Sequence, residues 1–265
     1  MTSADAATGN DAPVLIEQNG AVATLVLNRP ARRNALDITL RAAIAAAITG
    51  LTNDAGVRAI VITGSATVFA AGADLNMLVE KDAQGMAELD LAQYWAPVAS
   101  CPKPVIAAVS GFALGAGCEL AMMCDFIVAD ATARFGQPEL AVGIMPGAGG
   151  TQRLVRTLGK QVASMLLMTG EMLEGQRAYE LGLVAVLAPE GGALEKAQAL
   201  ALKAARMPPL AIVATKRVLR DGSDVPLDTA LALEKREFLQ LFDTQDKNEG
   251  MRAFLDKRRP VFRGE

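Results

Sequence analysis

Three short, almost wholly apolar runs constrain this chain most: VRAIVITG at 57–64, KPVIAAVSG at 103–111 and DFIVAD at 125–130. Each has strand length, is rich in Val and Ile, and stops at Gly or Asp. Such runs read as buried strands. Helical patterns lie between and around them. ALDITLRAAIAAAITGL at 35–51 carries apolar residues at helical spacing with Asp37 near its start, and GCELAMMC at 117–124 reads as a short apolar helix. Strand and helix in alternation predict an α/β core with closely spaced turns. Upstream, VLIEQNGAVATLVLN at 14–28 alternates apolar with polar residues around Asn19-Gly20, which predicts a hairpin closed by a type I′ turn. The sheet core is expected to close near LVAVLAP, at Pro189. From Gly191 the sequence turns to Ala, Leu and charged residues with helical period, through 206 and over 210–220, 225–242 and 246–258. On the last of these, Met251, Phe254 and Leu255 share one face, so that helix is expected to dock on something apolar. The organisation predicted is a disordered leader at 1–12, an α/β core at 13–190 and a helical region at 191–265.

Hydrophobic residues make up 51% of the 265, yet no run of 18 uncharged apolar residues occurs. A membrane span is therefore not expected, and the apolar surplus is assigned to subunit contacts. The first residues lack a basic stretch followed by an apolar one, so no secretory signal is read and the cytoplasm is the expected compartment. A net charge of −3 argues against general nucleic-acid binding, which needs a broad basic face. Two local basic patches, RPARR at 29–33 and DKRRPVFR at 256–263, read alone as solvated surface. Cys101, Cys118 and Cys124 have neither a disulfide count nor metal-ligand spacing, and are expected to be buried free thiols.

The chain has no histidine. Proton transfer near neutral pH then falls to carboxylates, Lys, Tyr or Cys. Glu119 and Glu139 are the best candidates, because they stand in the most glycine-rich and apolar part of the chain, where burial raises a carboxyl pKa toward the working pH. Two turns of small residues accompany them. Ala71-Gly72-Ala73-Asp74 follows a strand-like run, and Gly115-Ala116-Gly117 opens the helix that bears Glu119. Read alone, Asp74 is an N-cap or first-turn acid after a tight strand-to-helix turn, and Glu119 a first-turn acid favoured by the helix dipole. Read together, the turns offer two backbone N–H groups that can converge on a carbonyl gaining negative charge. Glu139 follows a proline that disfavours helix at Gln137, with Gly143 and Gly147 leaving room beside it. MPGAGGTQRL at 145–154 looks like an anion-binding glycine loop at a helix start, matches neither common nucleotide-binding pattern, and is read as support for the Glu139 loop.

Five blocks in order carry a likeness: RPARRNALD, FAAGADLNML, KPVIAAVSGFALGAGCELAMMCDFIVAD, ARFGQPELAVGIMPGAGGTQRL and EGMRAFLDKRRPVF. By these the chain resembles the crotonase (enoyl-CoA hydratase/isomerase) superfamily, most closely its enoyl-CoA hydratases, over nearly everything after the leader. The resemblance implies a superhelix of β-β-α turns with a helical C-terminal trimerisation region, giving a homotrimer or homohexamer. It implies oxyanion donors at the backbone N–H of Ala73 and Ala116, where alanine replaces a common glycine, and catalytic acids at Glu119 and Glu139. Arg33 and Ala35 would line the coenzyme A nucleotide pocket, with Phe254 and Lys257 reaching it from a neighbouring subunit. Ala71, Gly72, Asp74, Leu75, Gly115, Pro138 and Gly147 would complete the substrate surface.

The implied activity is hydration of a 2-enoyl-CoA to a 3-hydroxyacyl-CoA, with no metal or redox cofactor and coenzyme A present only as part of the substrate. The alternatives are an isomerase or another lyase or hydrolase of the same superfamily and, more distantly, a non-catalytic RNA-binding relative. Residues 76–97 are expected to shape the acyl-chain pocket. A serine peptidase using Ser110 lacks the imidazole it needs.

Overall fold

The computed structural model describes residues 12–265, so the expected leader falls, but for Ala12, outside the described residues. The chain enters through the predicted hairpin. Strands β1 (Val14–Asn19) and β2 (Val22–Leu27) pair antiparallel with Asn19 opposite Val22. The turn residues are thus Gly20 and Ala21, and of these only Gly20 has a positive φ, 58°. The expected type I′ turn needs positive φ at both central positions, and the register instead puts Ala21, whose Cβ opposes that conformation, at the second.

Helix α1 (Ile38–Asn53) starts at Asp37, whose carboxylate accepts the Leu40 N–H at 2.9 Å. After it the same unit recurs: a strand in a large sheet, a tight turn, then a short strand in a small sheet. β3 (Ala59–Thr63) leads to β4 (Val68–Ala70), and two helices follow, α2 (Ala83–Glu88) and α3 (Ala92–Ala99). β5 (Val105–Val109) leads to β6 (Phe112–Leu114) and α4 (Ala116–Met123). β7 (Phe126–Asp130) leads to β8 (Arg134–Gly136), a 3-10 turn at Pro138–Val142 and α5 (Gly150–Thr169), which is interrupted at Gly159. β9 (Leu173–Glu174), α6 (Gly175–Glu180) and β10 (Val186–Ala188) close the core. The large sheet has the order β1-β2-β3-β5-β7-β10, parallel except for the hairpin, and the small sheet β4-β6-β8-β9. Each strand of the repeat lies beside its counterpart in the next, which makes the β-β-α superhelix.

Every residue of β3 and β5 is buried. One core, with Leu25, Ile60, Ile62, Phe69, Leu120 and Phe135, fills the space between the sheets and helices α1 and α4. A second, with Val61, Ile106 and Val128, lies under Ala197, Ala201 and Ala205 of α7 (Ala193–Ala205). The three cysteines are free and buried, as expected. Three further helices follow, α8 (Pro209–Gly222), α9 (Leu227–Leu241) and α10 (Gln245–Leu255), within a residue or a few of the predicted segments. The predicted apolar face of α10 docks on nothing among the described residues: Met251, Phe254 and Leu255 are all exposed, Phe254 by 83%. Among the described residues no helix is long and apolar enough to cross a membrane.

Candidate active site

Two turns converge because α4 sits against β4 with no side chain between. A Cβ on Gly117 would lie 2.3 Å from the Ala70 carbonyl oxygen, so only glycine permits the approach. One turn after Ala70 comes Ala73, and at the start of α4 stands Ala116. Both line one cavity of about 590 Å³, together with Glu119 and Glu139. Among the described residues neither the Ala73 N–H nor the Ala116 N–H has a protein acceptor. Unpaired backbone donors are rare inside proteins, and these two face a space that a ligand can enter.

Glu119, 2% exposed, lies one turn into α4. Its Oε1 accepts two N–H groups, from Ala148 and Gly150, each at 2.7 Å. Gly150 opens α5 and Ala148 lies two residues before it, so the glycine loop receives an acidic group as its sequence suggested, that group being the Glu119 side chain, while Gly150 also packs against Gln137 beside the Glu139 turn. Burial pushes the Glu119 pKa up, and the two amides, Arg41 and Arg153 oppose it.

Glu139 stands second in the 3-10 turn that Pro138 starts, half-buried, and lines the same cavity. Its Oε1 sits so close to Gly115 that a Cβ there would come within 2.7 Å, and Gly115 has a φ of 50°. Buried Gln137, with its amide nitrogen turned to the carboxylate, donates to both Glu139 oxygens at 3.1 and 3.2 Å. Burial first, and then the like charge of Glu119, raise the Glu139 pKa to about 7.

The remaining sequence-predicted residues fall into two groups. Arg33, Ala35, Ala71, Gly72 and Ala73 run side by side: the Arg33 carbonyl accepts the Ala71 N–H at 3.1 Å, and the Leu36 N–H donates to Gly72 at 2.8 Å. Asp74 caps the next turn, accepting the Asn76 N–H at 3.0 Å, and pairs with Arg32 at 3.2 Å. Arg29 pairs with Asp37. Arg33 is exposed and makes no ion pair among the described residues, so of the arginines in this patch it alone is free to meet an anion. Leu75 is exposed beside it and Gly147 lines the cavity. Phe254 and Lys257 form the second group, exposed at the end of α10 and away from this cavity within one chain. Ser110 is occupied elsewhere, donating to Asp130 at 2.6 Å.

The cavity also holds residues that the sequence reading missed. Segment 76–97 does supply its apolar wall, through Leu78, Met86, Leu91 and Trp95. Arg41 of α1, 2% exposed, stacks on Trp95 at 4.6 Å, and Arg153 of α5 lies nearby. The signal for Arg41 was its spacing: it shares a stripe with Ile44, Ile48 and Leu51, all buried.

The profile of the enoyl-CoA hydratase/isomerase family matches residues 17–265. A 2,3-dehydroadipyl-CoA hydratase of Escherichia coli is 47% identical over 95% of this chain and 98% of its own length. A crotonyl-CoA hydratase of Syntrophomonas wolfei is 38% identical over 94% and 97%. Among solved structures, an enoyl-CoA hydratase from Bacillus anthracis superposes with a TM-score of 0.91 at 35% identity, covering 96% of this chain and all of that one. With fold, family profile and full-length relatives in agreement, the chain belongs to the enoyl-CoA hydratase/isomerase family.

Proposed function

We propose that the protein is an enoyl-CoA hydratase that adds water across the double bond of a 2-enoyl-CoA thioester. The thioester oxygen accepts hydrogen bonds from Ala73 N–H and Ala116 N–H. Electron density drawn toward that oxygen leaves carbon 3 electrophilic. Water between the two acids attacks carbon 3; Glu119 takes one water proton, and Glu139 gives its own proton to carbon 2 as the enolate collapses. The product is a 3-hydroxyacyl-CoA, and proton exchange from Glu119 to Glu139 restores the starting state. The steps ask for an acid, a base and an oxyanion site, so coenzyme A enters only as part of the substrate.

The observation that carries this reading is the single cavity lined by two backbone donors unpaired among the described residues, one buried acid and one half-buried acid. The pKa pattern supports the roles. Glu139 at about 7 can hold a proton to give, whereas Glu119, met by two amides and two guanidiniums, is the better carboxylate to receive one. The names of the hydratase relatives support the reaction class. Exposed Arg33 supports a phosphate contact for the nucleotide end of coenzyme A. The bare apolar end of α10 supports a trimer or hexamer in which Phe254 and Lys257 reach a neighbour's nucleotide pocket. The deciding experiment follows crotonyl-CoA by its enoyl absorbance. Loss of absorbance, with 3-hydroxybutyryl-CoA as product, is expected; conversion of a 3-enoyl-CoA to its 2-enoyl isomer without hydration would reassign the site to isomerisation.

A further inference from the structure

The wall of the cavity contains side-chain donors that no step of the proposed hydration contacts. Arg41 is buried, and among the described residues its only side-chain hydrogen bond runs from Nε to the Leu36 carbonyl at 2.9 Å. No carboxylate pairs with it among the described residues, although Glu119 and Asp37 both act on it at longer range. Its partner in stacking, Trp95, has a buried indole N–H with no acceptor, and so has the Nε of Arg153 on the same cavity. Buried donors are nearly always satisfied, and a buried guanidinium is costly unless paired. Here two buried side-chain donors on one cavity, the Trp95 indole and the Arg153 Nε, lack an acceptor among the described residues, and the Arg41 guanidinium beside them has no carboxylate partner. With Glu139 protonated for its role as acid, the cavity holds two guanidiniums against one carboxylate. What is missing is an anion.

Position defines which anion. Arg41 is tied through Leu36 to the segment that carries Ala73, since the Leu36 N–H donates to Gly72 and Leu36 bridges Ala73. The thioester oxygen of the proposed substrate would lie against that same segment. The guanidinium therefore shares with Leu78, Met86, Leu91 and Trp95 the cavity wall that would face the acyl part of the substrate, a wall to which Arg33 does not contribute.

We infer that Arg41, stacked on Trp95, receives a carboxylate at the distal end of a short acyl chain, making 2-enedioyl-CoA thioesters the preferred substrate class. This rests on the hydratase reading, and deepens it from reaction to specificity. Planar guanidinium suits a carboxylate by paired N–H donors, which lysine cannot reproduce.

The test separates specificity from chemistry by using unreactive saturated thioesters. Binding of adipyl-CoA and hexanoyl-CoA, equal in chain length, is measured by calorimetry on the wild-type protein, Arg41→Met and Arg41→Lys. The wild type is expected to prefer adipyl-CoA by roughly 10- to 100-fold, the range for hydrogen bonds to charged groups. Arg41→Met is expected to bring the ratio near one, and Arg41→Lys to restore part of it. Because both ligands share the nucleotide and the thioester, a general loosening of the site would change both affinities and leave the ratio alone. Equal or weaker binding of adipyl-CoA by the wild type overturns the inference, as does an adipyl preference that survives in Arg41→Met. Hydration of crotonyl-CoA is scored separately, so the specificity can fail while the hydratase reading stands.

Discussion

Glu119 serves two ends with one side chain: one oxygen anchors a helix, and the carboxylate is the proposed base. Replacing either acid by the isosteric amide removes proton transfer while keeping shape, so Glu119→Gln and Glu139→Gln are each expected to lower kcat by about 10²- to 10⁴-fold in the enoyl-absorbance assay. The pH dependence follows from the signs. Glu139 must carry its proton, so activity is expected to fall as pH rises through about 7. Glu119 must be ionised, so activity is also lost as pH falls through its own raised pKa. A bell-shaped kcat/KM profile is expected, its limbs belonging to the coupled pair. Gly115→Ala adds a methyl group that meets Glu139 Oε1 and strains a positive φ. A displacement near 1 Å is worth about 10²-fold, so kcat is expected to drop by roughly that factor with little change in binding of a saturated acyl-CoA. At this scale the sequence told much about small and acidic residues, because a glycine beside an acid in apolar surroundings has few other uses. It told little about Arg41 or Gln137. Arginine in an alanine-rich helix resembles a solvated charge, and Gln137 drew notice only as the residue before Pro138; burial revealed both.

At the scale of elements, α5 begins on Glu119, and that contact can be tested apart from catalysis. Glutamine keeps a carbonyl oxygen for the Ala148 and Gly150 amides, whereas alanine keeps nothing. Amide hydrogen exchange at those two positions is expected to stay slow in Glu119→Gln and to quicken in Glu119→Ala, though both lose activity. Equal protection in all three proteins would mean that the loop holds itself. The sequence disclosed this loop as an anion site but not its anion, since Glu119 and Gly150 meet only across the fold. Long elements were legible: α1 by its period and Asp37, and β3, β5 and β7 by their apolar runs. Of the small sheet only β4 was, as the strand-like run before Ala71. β4, β6 and β8 have three residues each, too few to show a period, and β6 hides between Gly111 and Gly115 in sequence. Yet these strands set the two turns side by side, so the sequence named the donors without showing what makes them converge.

For the whole molecule, the helical region leaves an apolar surface that the single chain does not cover: besides Phe254 and Leu255, Leu227 is 71% exposed and Phe238 56%. Exposed apolar side chains of this kind support the proposed subunit interface. Light scattering is expected to give the mass of a trimer or hexamer, and Phe254→Glu with Leu255→Glu to shift it toward monomer; a monomeric wild type would refute the assembly. The sharper consequence concerns where the site is completed. If Lys257 serves a neighbour's nucleotide pocket, Lys257→Glu damages every site in its own homo-oligomer, raising KM for crotonyl-CoA by roughly tenfold or more. Subunits carrying only Glu119→Gln have the intact Lys257 but no base. Mixed assemblies would then contain some sites with wild-type Glu119 from one subunit and wild-type Lys257 from the next. Unfolding and refolding the two variants together is expected to yield low-KM activity that neither shows alone. If Lys257 acted within its own chain, every site in the mixture would lack one group or the other, and mixing would gain nothing.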